Sequence, residues 1–321
     1  MREVTYAQAI NEALHEEMAA DSSVLVMGED IHLPTFGPVH DGLLQRFGPL
    51  RVRSTPLSET AIIGAAVGAA LTGLRPVVEI MLADFVAVCF DEIHNKAGKW
   101  MYMHGGRVSV PLVIRTPGGA QGGGAEHSQS TEGLFVGSPG LKIALPSTPA
   151  DAKGLLKAAI RDDDPVLFFE HKRLYDVRGP VPEGDGAIPL GQAAVRRPGT
   201  DVSIIATSYQ TVLALDAAED LAGDGISAEV IDLRTLVPLD KHTVLTSVAK
   251  TGRAVIVHEP NKRGGPGAEI AAVICELGFG YLRSPIVRVA PPDVPIPFTP
   301  ALEKLYLPDR QTIVEAVKGL L

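Results

Sequence analysis

Two α/β domains, each built on a doubly wound parallel sheet, are predicted by three features of the sequence. Short apolar stretches alternate with helix-periodic ones along most of the chain, a pattern typical of helices packed on a parallel sheet. A stretch rich in proline and glycine interrupts this alternation. The length of 321 residues suits two hydrophobic cores better than one.

The first domain is predicted to cover residues 1–180 and to open with a helix. Thr5 and Gln8 form a capping-box pair, and Ile10, Leu14 and Met18 follow at helical spacing. Further along, apolar runs predict buried strands, and the periodic stretches between them predict helices. The predicted strands are 24–27, 77–81, 110–115 and 166–170, and the predicted helices are 61–72, 84–103 and 149–161.

A linker is predicted at 181–200, because residues 171–200 are rich in proline and glycine and have little periodicity. A second, smaller doubly wound domain is predicted over 201–321. Its predicted strands are 202–206, 228–233, 254–258 and 286–290, and its predicted helices are 210–221, 241–250 and 268–277.

Composition excludes several classes of function. The net charge of -9 comes without a run of lysine and arginine, so a nucleic-acid partner is not expected. The longest apolar run, 61–74, is shorter than the ~20 residues that a membrane span needs. The N-terminus lacks the apolar core of a signal peptide, and Cys89 and Cys275 have no metal-ligand spacing. We therefore expect a cytoplasmic protein with both cysteines in its core.

The first candidate site lies where Leu57, Ser58 and Glu59 lead into a helix of small residues. Gly64 and Gly68 leave one face of that helix almost flat, at a cost of about 1 kcal/mol per glycine relative to alanine. Such a face predicts a tight helix contact, for example between subunits. Glu59 has two interpretations, since an acid in a first helical turn is also favoured by the helix dipole alone.

Phe85 is the second candidate, at the point where a predicted buried strand meets a helix. It shares one helical face with Cys89, Ile93 and Ala97, which favours a core position. An aromatic ring near the carboxyl end of a strand is also well placed to stack on a planar ligand, because open parallel sheets bind ligands at that edge. Both interpretations of Phe85 remain open at this point.

The third candidate is the glycine-rich segment 118–130, which contains His127. A phosphate loop is disfavoured, because no Gly-Lys-Ser/Thr follows and no helix opens where a dinucleotide fingerprint requires one. The segment suits the approach of a substrate or a swinging arm, and His127 can exchange protons near neutral pH. A histidine beside a serine can equally be ordinary loop polarity.

Many motifs occur in one order along nearly the whole chain. The first domain contributes 57–59, 79–85, 110–117, 127–129, 151–156 and 165–172, and the second contributes 232–240 and 258–259. Together they resemble the beta subunits of the thiamine diphosphate-dependent component of 2-oxo acid dehydrogenase complexes, in the transketolase-like superfamily. The motifs are far more specific together than any one of them is alone.

This resemblance implies a transketolase-like fold, in which the first domain binds the aminopyrimidine of thiamine diphosphate. Glu59 falls on the glutamate that hydrogen-bonds ring nitrogen N1′, where a carboxyl group promotes loss of the thiazolium C2 proton. Leu57 and Phe85 match the aliphatic contact and the stacking aromatic of the cofactor site. His127 matches the histidine that faces the substrate and the lipoyl group, so Glu59 and His127 are the implied catalytic residues.

The resemblance also implies metal ions. Thiamine diphosphate enzymes hold magnesium through a Gly-Asp-Gly motif with a later asparagine. The tripeptides 184–186 and 223–225 have no asparagine at that spacing, so we expect an alpha subunit to hold the magnesium. Related beta subunits often bind potassium through backbone carbonyls, and the matching positions here are Leu112, Ala159, Ile160, Asp162 and Asp164.

The implied function is oxidative decarboxylation of a 2-oxo acid, pyruvate first, or cleavage of acetoin, with acyl transfer to lipoyl groups. The expected partners are an alpha subunit, in an assembly of two alpha and two beta chains, and a lipoyl acyltransferase core. Segments 100–106 and 168–172 favour the pyruvate and acetoin branch, whereas the glycines at 122–124 depart from it. The alternatives are a branched-chain 2-oxo acid dehydrogenase beta subunit, half of a split transketolase or deoxyxylulose phosphate synthase, and a non-catalytic assembly subunit.

Overall fold

The computed structural model describes residues 2–33 and 37–321. Within this part, the chain forms two compact units. The first comprises the described residues of Met1–Gly119 and Gly137–Leu190, and the second comprises Ala120–Val136 and Gly191–Leu321. Each unit contains its own sheet, so the predicted α/β class is confirmed.

The first unit is built on parallel strands whose central members are entirely buried. Its strands are β1 Arg2–Thr5, β2 Val24–Glu29, β3 Val52–Thr55, β4 Arg75–Glu79, β5 Val113–Gly118, β6 Lys142–Ala144, β7 Val166–His171 and β8 Arg178–Val181. Six of them lie side by side in the order β6, β7, β5, β4, β2, β3, all parallel. The first and last strands, β1 and β8, form a separate antiparallel pair.

The first unit contains several α-helices, and the first and last of them begin where the sequence predicts. They are α1 Tyr6–Ala20, α2 Leu43–Phe47, α3 Glu59–Leu71, α4 Trp100–Met103 and α5 Pro149–Arg161. The capping box of Thr5 and Gln8 is confirmed at the start of α1, and Thr148 accepts a bond from the backbone of Asp151 at the start of α5. The helices α1 and α5 pack together, and Lys153 and Lys157 of α5 pair with glutamates of α1.

The prediction of one continuous helix over 84–103 is wrong. The segment consists of a 3-10 turn at Ala83–Ala87, a π-helical stretch at Glu92–Ala97 and the short helix α4. In the π-helical stretch the backbone N–H of Gly98 donates to the carbonyl of Ile93 at 3.0 Å, a spacing of five residues that shifts the helical register. Apolar periodicity does not reveal such a shift.

The second unit contains a five-stranded sheet with helices between its strands. Its strands are β9 Ala194–Arg197, β10 Val202–Ala206, β11 Ala228–Asp232, β12 Thr235–Val237, β13 Ala254–Val257 and β14 Val287–Val289, and its helices are α6 Tyr209–Gly223, α7 Lys241–Thr251, α8 Pro266–Gly278, α9 Pro300–Tyr306 and α10 Arg310–Lys318. The sheet order is β14, β13, β10, β11, β9, and only the edge strand β9 runs antiparallel to its neighbour. This edge strand makes the sheet mixed.

The predicted linker contains regular structure at both of its ends. Val181 of β8 and all of β9 fall within 181–200, and both strands pair with partners distant in sequence. Segment Ala120–Val136 belongs to the second unit, although it lies within 1–180. The domain boundaries at 180 and 200 stay a proposal.

Two further observations concern burial. Cys89 is buried as predicted, but Cys275 is exposed, so its predicted core position is wrong. Cys275 lies on α8 between buried Ile274 and exposed Glu276 and Leu277, at the boundary of the helix's inner face. No helix in the described part of the chain is long and apolar enough to cross a membrane.

Candidate functional site

Glu59 is the first residue of α3 and is half-buried. Ser58, which precedes it, has an extended φ of -168° and makes no side-chain capping bond. The Thr60 hydroxyl donates to the carbonyl of Val88 at 3.2 Å, which ties the start of α3 to the chain just after the turn that carries Phe85. The structure therefore brings Glu59 and Phe85 into the same region of the first unit.

Leu57 and Phe85 flank this helix start with exposed apolar surface. The side chain of Leu57 is 79% exposed, and Phe85 is half-buried. Cys89 and Ile93, which share the predicted helical face of Phe85, are fully buried. A core role therefore accounts for those two residues, while Phe85 keeps part of its ring available for contact with a ligand.

A second carboxyl group, that of Glu29, lies close to Glu59. Glu29 ends β2 and is buried, and within the described part of the chain its Oε1 atom has no hydrogen-bond partner. Burial, followed by the negative charges of Glu59, Asp30 and Glu79, raises the pKa of Glu29 to about 7. The helix start thus carries two interacting carboxyl groups, one of which holds a proton near neutral pH.

Sequence reasoning missed Glu29. The available signal was an acid at the carboxyl end of a buried parallel strand, the edge at which open α/β sheets bind ligands. That signal is weak without knowledge of which helix lies above the strand. Only the structure places Glu29 near Glu59.

Glu29→Gln should change the pH dependence of stability. Between pH 4.5 and about 7, Glu29 is protonated in the folded state but ionised in the unfolded state. The stability of the wild type therefore falls as the pH rises through this range. Glutamine cannot ionise, so this loss of stability is absent in the variant. Its free energy of unfolding should exceed that of the wild type by up to roughly 3 kcal/mol above pH 7 and should show no such gain near pH 4. Urea unfolding across this pH range measures the difference.

Asp91→Asn provides the control for the Glu29 measurement. Asp91 is exposed, and its pKa is lowered by the side chains of Asn95 and Lys96. Its replacement should not produce a gain of stability between pH 4.5 and 7. A parallel pH profile for wild type and Glu29→Gln would contradict the raised pKa.

His127 lies on an exposed loop that belongs to the second unit. A Cβ atom on Gly123 would lie 2.7 Å from the His127 carbonyl oxygen, so the loop closes tightly only with glycine there. Gly124 has a positive φ of 72°, a conformation that also favours glycine. These glycines therefore serve the shape of the loop that presents the imidazole.

The five residues of the predicted potassium site lie together in the first unit. The carbonyl of Leu112 accepts from the backbone of Val166 at 2.8 Å. Arg75 Nη1 donates to the carbonyls of Ile160 and Asp162 at 3.1 and 2.9 Å. A carbonyl oxygen has two lone pairs, so these bonds leave each oxygen one further acceptor position.

Acidic side chains outnumber basic ones at this corner. Lys142 pairs with Asp162 and Asp164, and Arg75 pairs with Asp163. Arg75 also lies 3.8 Å from Asp21, so four carboxylates share these two cations and a further positive charge would be favourable there. The acidic charge fits a bound cation, and the Arg75 guanidinium already occupies two of the five carbonyls.

The aspartates of the two Gly-Asp-Gly tripeptides have other partners. Asp185 pairs with Arg161 and Lys157, and Asp224 pairs with Lys318 at 2.7 Å. Within residues 2–33 and 37–321, no group of three or more His, Cys, Asp or Glu side chains is arranged to hold a metal ion.

These features define the chain as a two-unit α/β protein whose first unit carries two neighbouring carboxyl groups beside an apolar surface. The transketolase pyrimidine binding domain model matches residues 2–178, and the transketolase C-terminal domain model matches residues 191–313. The chain therefore belongs to the transketolase family and has its fold. The first unit corresponds to the domain that binds the pyrimidine of thiamine.

Relatives at about 45% identity match over the full length. The acetoin:2,6-dichlorophenolindophenol oxidoreductase subunit beta of Cupriavidus necator is 47% identical over 99% of this chain and 97% of that protein. The pyruvate dehydrogenase E1 component subunit beta of Rickettsia felis is 46% identical over 98% of both chains. The 2-oxoisovalerate dehydrogenase subunit beta of Bacillus subtilis is 45% identical over 100% of this chain and 99% of that protein. These homologues are beta subunits of 2-oxo acid and acetoin dehydrogenase components.

A solved structure agrees with the fold. A split gene transketolase, described as an inactive beta4 tetramer, superposes with a TM-score of 0.83 at 26% identity. The match covers 99% of this chain and 98% of that one. The predicted transketolase-like fold is therefore confirmed across both units.

Proposed function

We propose that this chain is the beta subunit of the thiamine diphosphate-dependent component of a cytoplasmic 2-oxo acid dehydrogenase complex. The observation that carries the proposal is the position of Glu59, half-buried at the start of α3, beside the buried carboxyl of Glu29 and the half-buried ring of Phe85. Oxidoreductase beta subunits among the relatives support the same activity. Pyruvate or acetoin is the proposed substrate.

Bound thiamine diphosphate supplies a carbon nucleophile and an electron sink, which let a 2-oxo acid lose carbon dioxide. Glu59 would hold a proton at the pyrimidine N1′ atom, and Glu29 would limit the charge that builds up beside it. Phe85 would stack on the ring, and Leu57 would pack beside it and exclude water. His127 would face the substrate and the incoming lipoyl group, where it would hold or transfer a proton.

The proposed assembly contains two alpha and two beta chains, and a lipoyl acyltransferase core accepts the acyl group. In this proposal the alpha chain holds the magnesium and the diphosphate, since Asp185 and Asp224 are paired with basic side chains. The face of α3 around Gly64 and Gly68 is exposed, and a Cβ on Gly68 would meet nothing within 4 Å. That flat face suits close packing of another subunit.

Coexpression with an alpha subunit tests the proposal. The purified complex should reduce an artificial electron acceptor with pyruvate or acetoin as substrate, and branched-chain 2-oxo acids should give a lower kcat/KM. The beta chain alone should turn over nothing, because half of the site is absent. Robust activity of the isolated chain, or inactivity of a well-assembled complex toward every substrate of the panel, would refute it.

We also propose that potassium binds the carbonyls of Leu112, Ala159, Ile160, Asp162 and Asp164. Binding to the folded state alone should raise the melting temperature of the complex by about 2 °C when potassium replaces sodium at equal ionic strength. Lithium serves as the second control, since its small radius suits these carbonyls poorly. Identical melting curves in all three salts would contradict potassium binding.

A further inference from the structure

The strand order of the second sheet reverses at its first parallel strand. The chain passes from β10 to β11 on one side and then to β13 on the other side of β10. In open α/β sheets, the crevice outside the carboxyl ends of the strands at such a reversal usually receives a ligand. In this unit the crevice receives a segment of the chain's own backbone, which we call the 120–130 loop.

Glu259 connects this crevice to the loop. It lies two residues beyond the end of β13 and is 8% exposed. Its Oε1 atom accepts a bond from the backbone N–H of Ala120 at 2.7 Å and another from the Ser130 hydroxyl at 3.1 Å. Because Ala120 and Ser130 are the two ends of the loop, one carboxylate oxygen holds the segment that carries His127.

Other contacts hold the interior of the loop less directly. Glu303 accepts from the backbone N–H of Gly122 at 2.7 Å, and the Ser128 hydroxyl accepts from Gly123 at 2.9 Å. Ala120 also packs in a small apolar cluster with Ile296. The bonds to carboxylates are the stronger ones, since charge-assisted hydrogen bonds are roughly twice as strong as neutral ones.

Packing alone does not fix the loop. A cavity of about 460 Å³ lies along one side of it, with Ala125, Ser128 and Gln129 in its wall. The opposite wall includes Pro260 and Ile296. A loop beside an open space of this size depends on its polar anchors for its position.

Glu132, just beyond the loop, supports the same arrangement. It is buried, and burial raises its pKa to about 8, with a further contribution from the neighbouring Glu259. Near neutral pH Glu132 therefore keeps its proton. Glu259 acts as the acceptor without a second negative charge beside it.

We propose that Glu259 is a positioning residue for His127, holding the 120–130 loop in the crevice of the second sheet so that the imidazole is presented in one place. This inference rests on the role of His127 given under Proposed function. Glu259 itself contacts neither substrate nor cofactor in this scheme. Replacing Glu259 would therefore affect catalysis only by changing the position of the 120–130 loop.

Hydrogen exchange of the coexpressed complex tests the anchoring independently of activity. Glu259→Ala should accelerate amide exchange in peptides covering 120–130 by about tenfold, because two bonds to the loop are lost. Glu259→Gln keeps one carbonyl acceptor, should give a smaller increase, and serves if the alanine variant fails to fold. The matched control is Glu229→Gln, at a buried carboxylate of β11 that bonds Gly199 and Lys250.

A double-mutant cycle tests the consequence for catalysis. Glu259→Ala should lower kcat about 10- to 100-fold with unchanged affinity for thiamine diphosphate, and combining it with His127→Ala should cost little more than His127→Ala alone. The proposal would be overturned if the two substitutions lowered kcat independently, so that their fold-losses multiplied in the double variant. It would also be overturned if hydrogen exchange of the 120–130 loop were unchanged in Glu259→Ala. Faster loop exchange together with full turnover of His127→Ala would uphold the anchor and refute the role of His127.

Discussion

Glu59→Gln should lower the kcat of the assembled complex by roughly 10²- to 10⁴-fold, the range of effects for a group that moves a proton in catalysis. Glutamine matches glutamate in size but cannot hold an acidic proton at a ring nitrogen. The loss should appear in turnover, while the affinity for pyruvate changes little. Steady-state kinetics with an artificial electron acceptor measures both quantities.

The alternative role of Glu59, a favourable charge at a helix start, predicts a different outcome. In that case Glu59→Gln would cost only about 0.3–1 kcal/mol of stability and would leave turnover intact. Glu269→Gln is the matched control, because Glu269 is an exposed acid in the first turn of α8, which has 13 residues as α3 does. Equal turnover in the two variants would refute the catalytic role of Glu59.

The alternation of buried strands and helices was sufficient to predict a sheet with parallel strands in each unit, but not the antiparallel edge strand β9 of the second sheet. Strands such as β2 and β13 contain continuous apolar runs, because a buried parallel strand has helices packed on both of its faces. The short strands β1 and β8 were missed, since their pairing joins residues about 175 positions apart and their side chains are partly exposed. Local sequence contains little information on such pairing.

In the candidate site, too, the sequence alone identified some residues and missed others. Glu59 and Phe85 are marked by local motifs, so sequence alone selected them, although it left a helix-dipole role and a core role open. Glu29 and Glu259 act through groups distant in the chain, Glu59 in one case and Ala120 in the other. Their importance depends on the crossover connections that bring the ends of strands together. No local sequence pattern indicates which strand ends will meet.

Arg115→Met should destabilise the first unit by about 3–5 kcal/mol, because the buried carboxylate of Glu170 loses its cation and that of Glu79 keeps only His40. Arg115 is 1% exposed and donates two bonds to Glu170, at 2.7 and 2.9 Å, and one to Glu79 at 2.7 Å. Burial alone would raise the pKa of Glu79, but His40 and Arg115 lower it to about 2. Urea unfolding near neutral pH measures the loss.

Arg161→Met is the matched control for this prediction. Arg161 also binds two carboxylates, those of Glu17 and Asp185, but its side chain is 44% exposed. Lys157 also pairs with Glu17 and Asp185, at 3.6 and 3.0 Å, so both carboxylates keep a cation when Arg161 is replaced, and the expected loss is about 0–1 kcal/mol. Similar losses for Arg115→Met and Arg161→Met would contradict the explanation that a buried carboxylate left without a cation causes the loss.

The Arg115 network also bears on the cofactor site through the chain that follows Glu79. Glu79 is the last residue of β4, and the turn that carries Phe85 starts four residues later, at Ala83. Loss of the cation should therefore loosen Phe85 and weaken binding of thiamine diphosphate as well as lowering stability. Adding Glu79→Gln and Glu170→Gln to Arg115→Met removes the unpaired charges and should recover much of the stability. If the triple variant is no more stable than Arg115→Met alone, repulsion and desolvation of these carboxylates do not explain the loss.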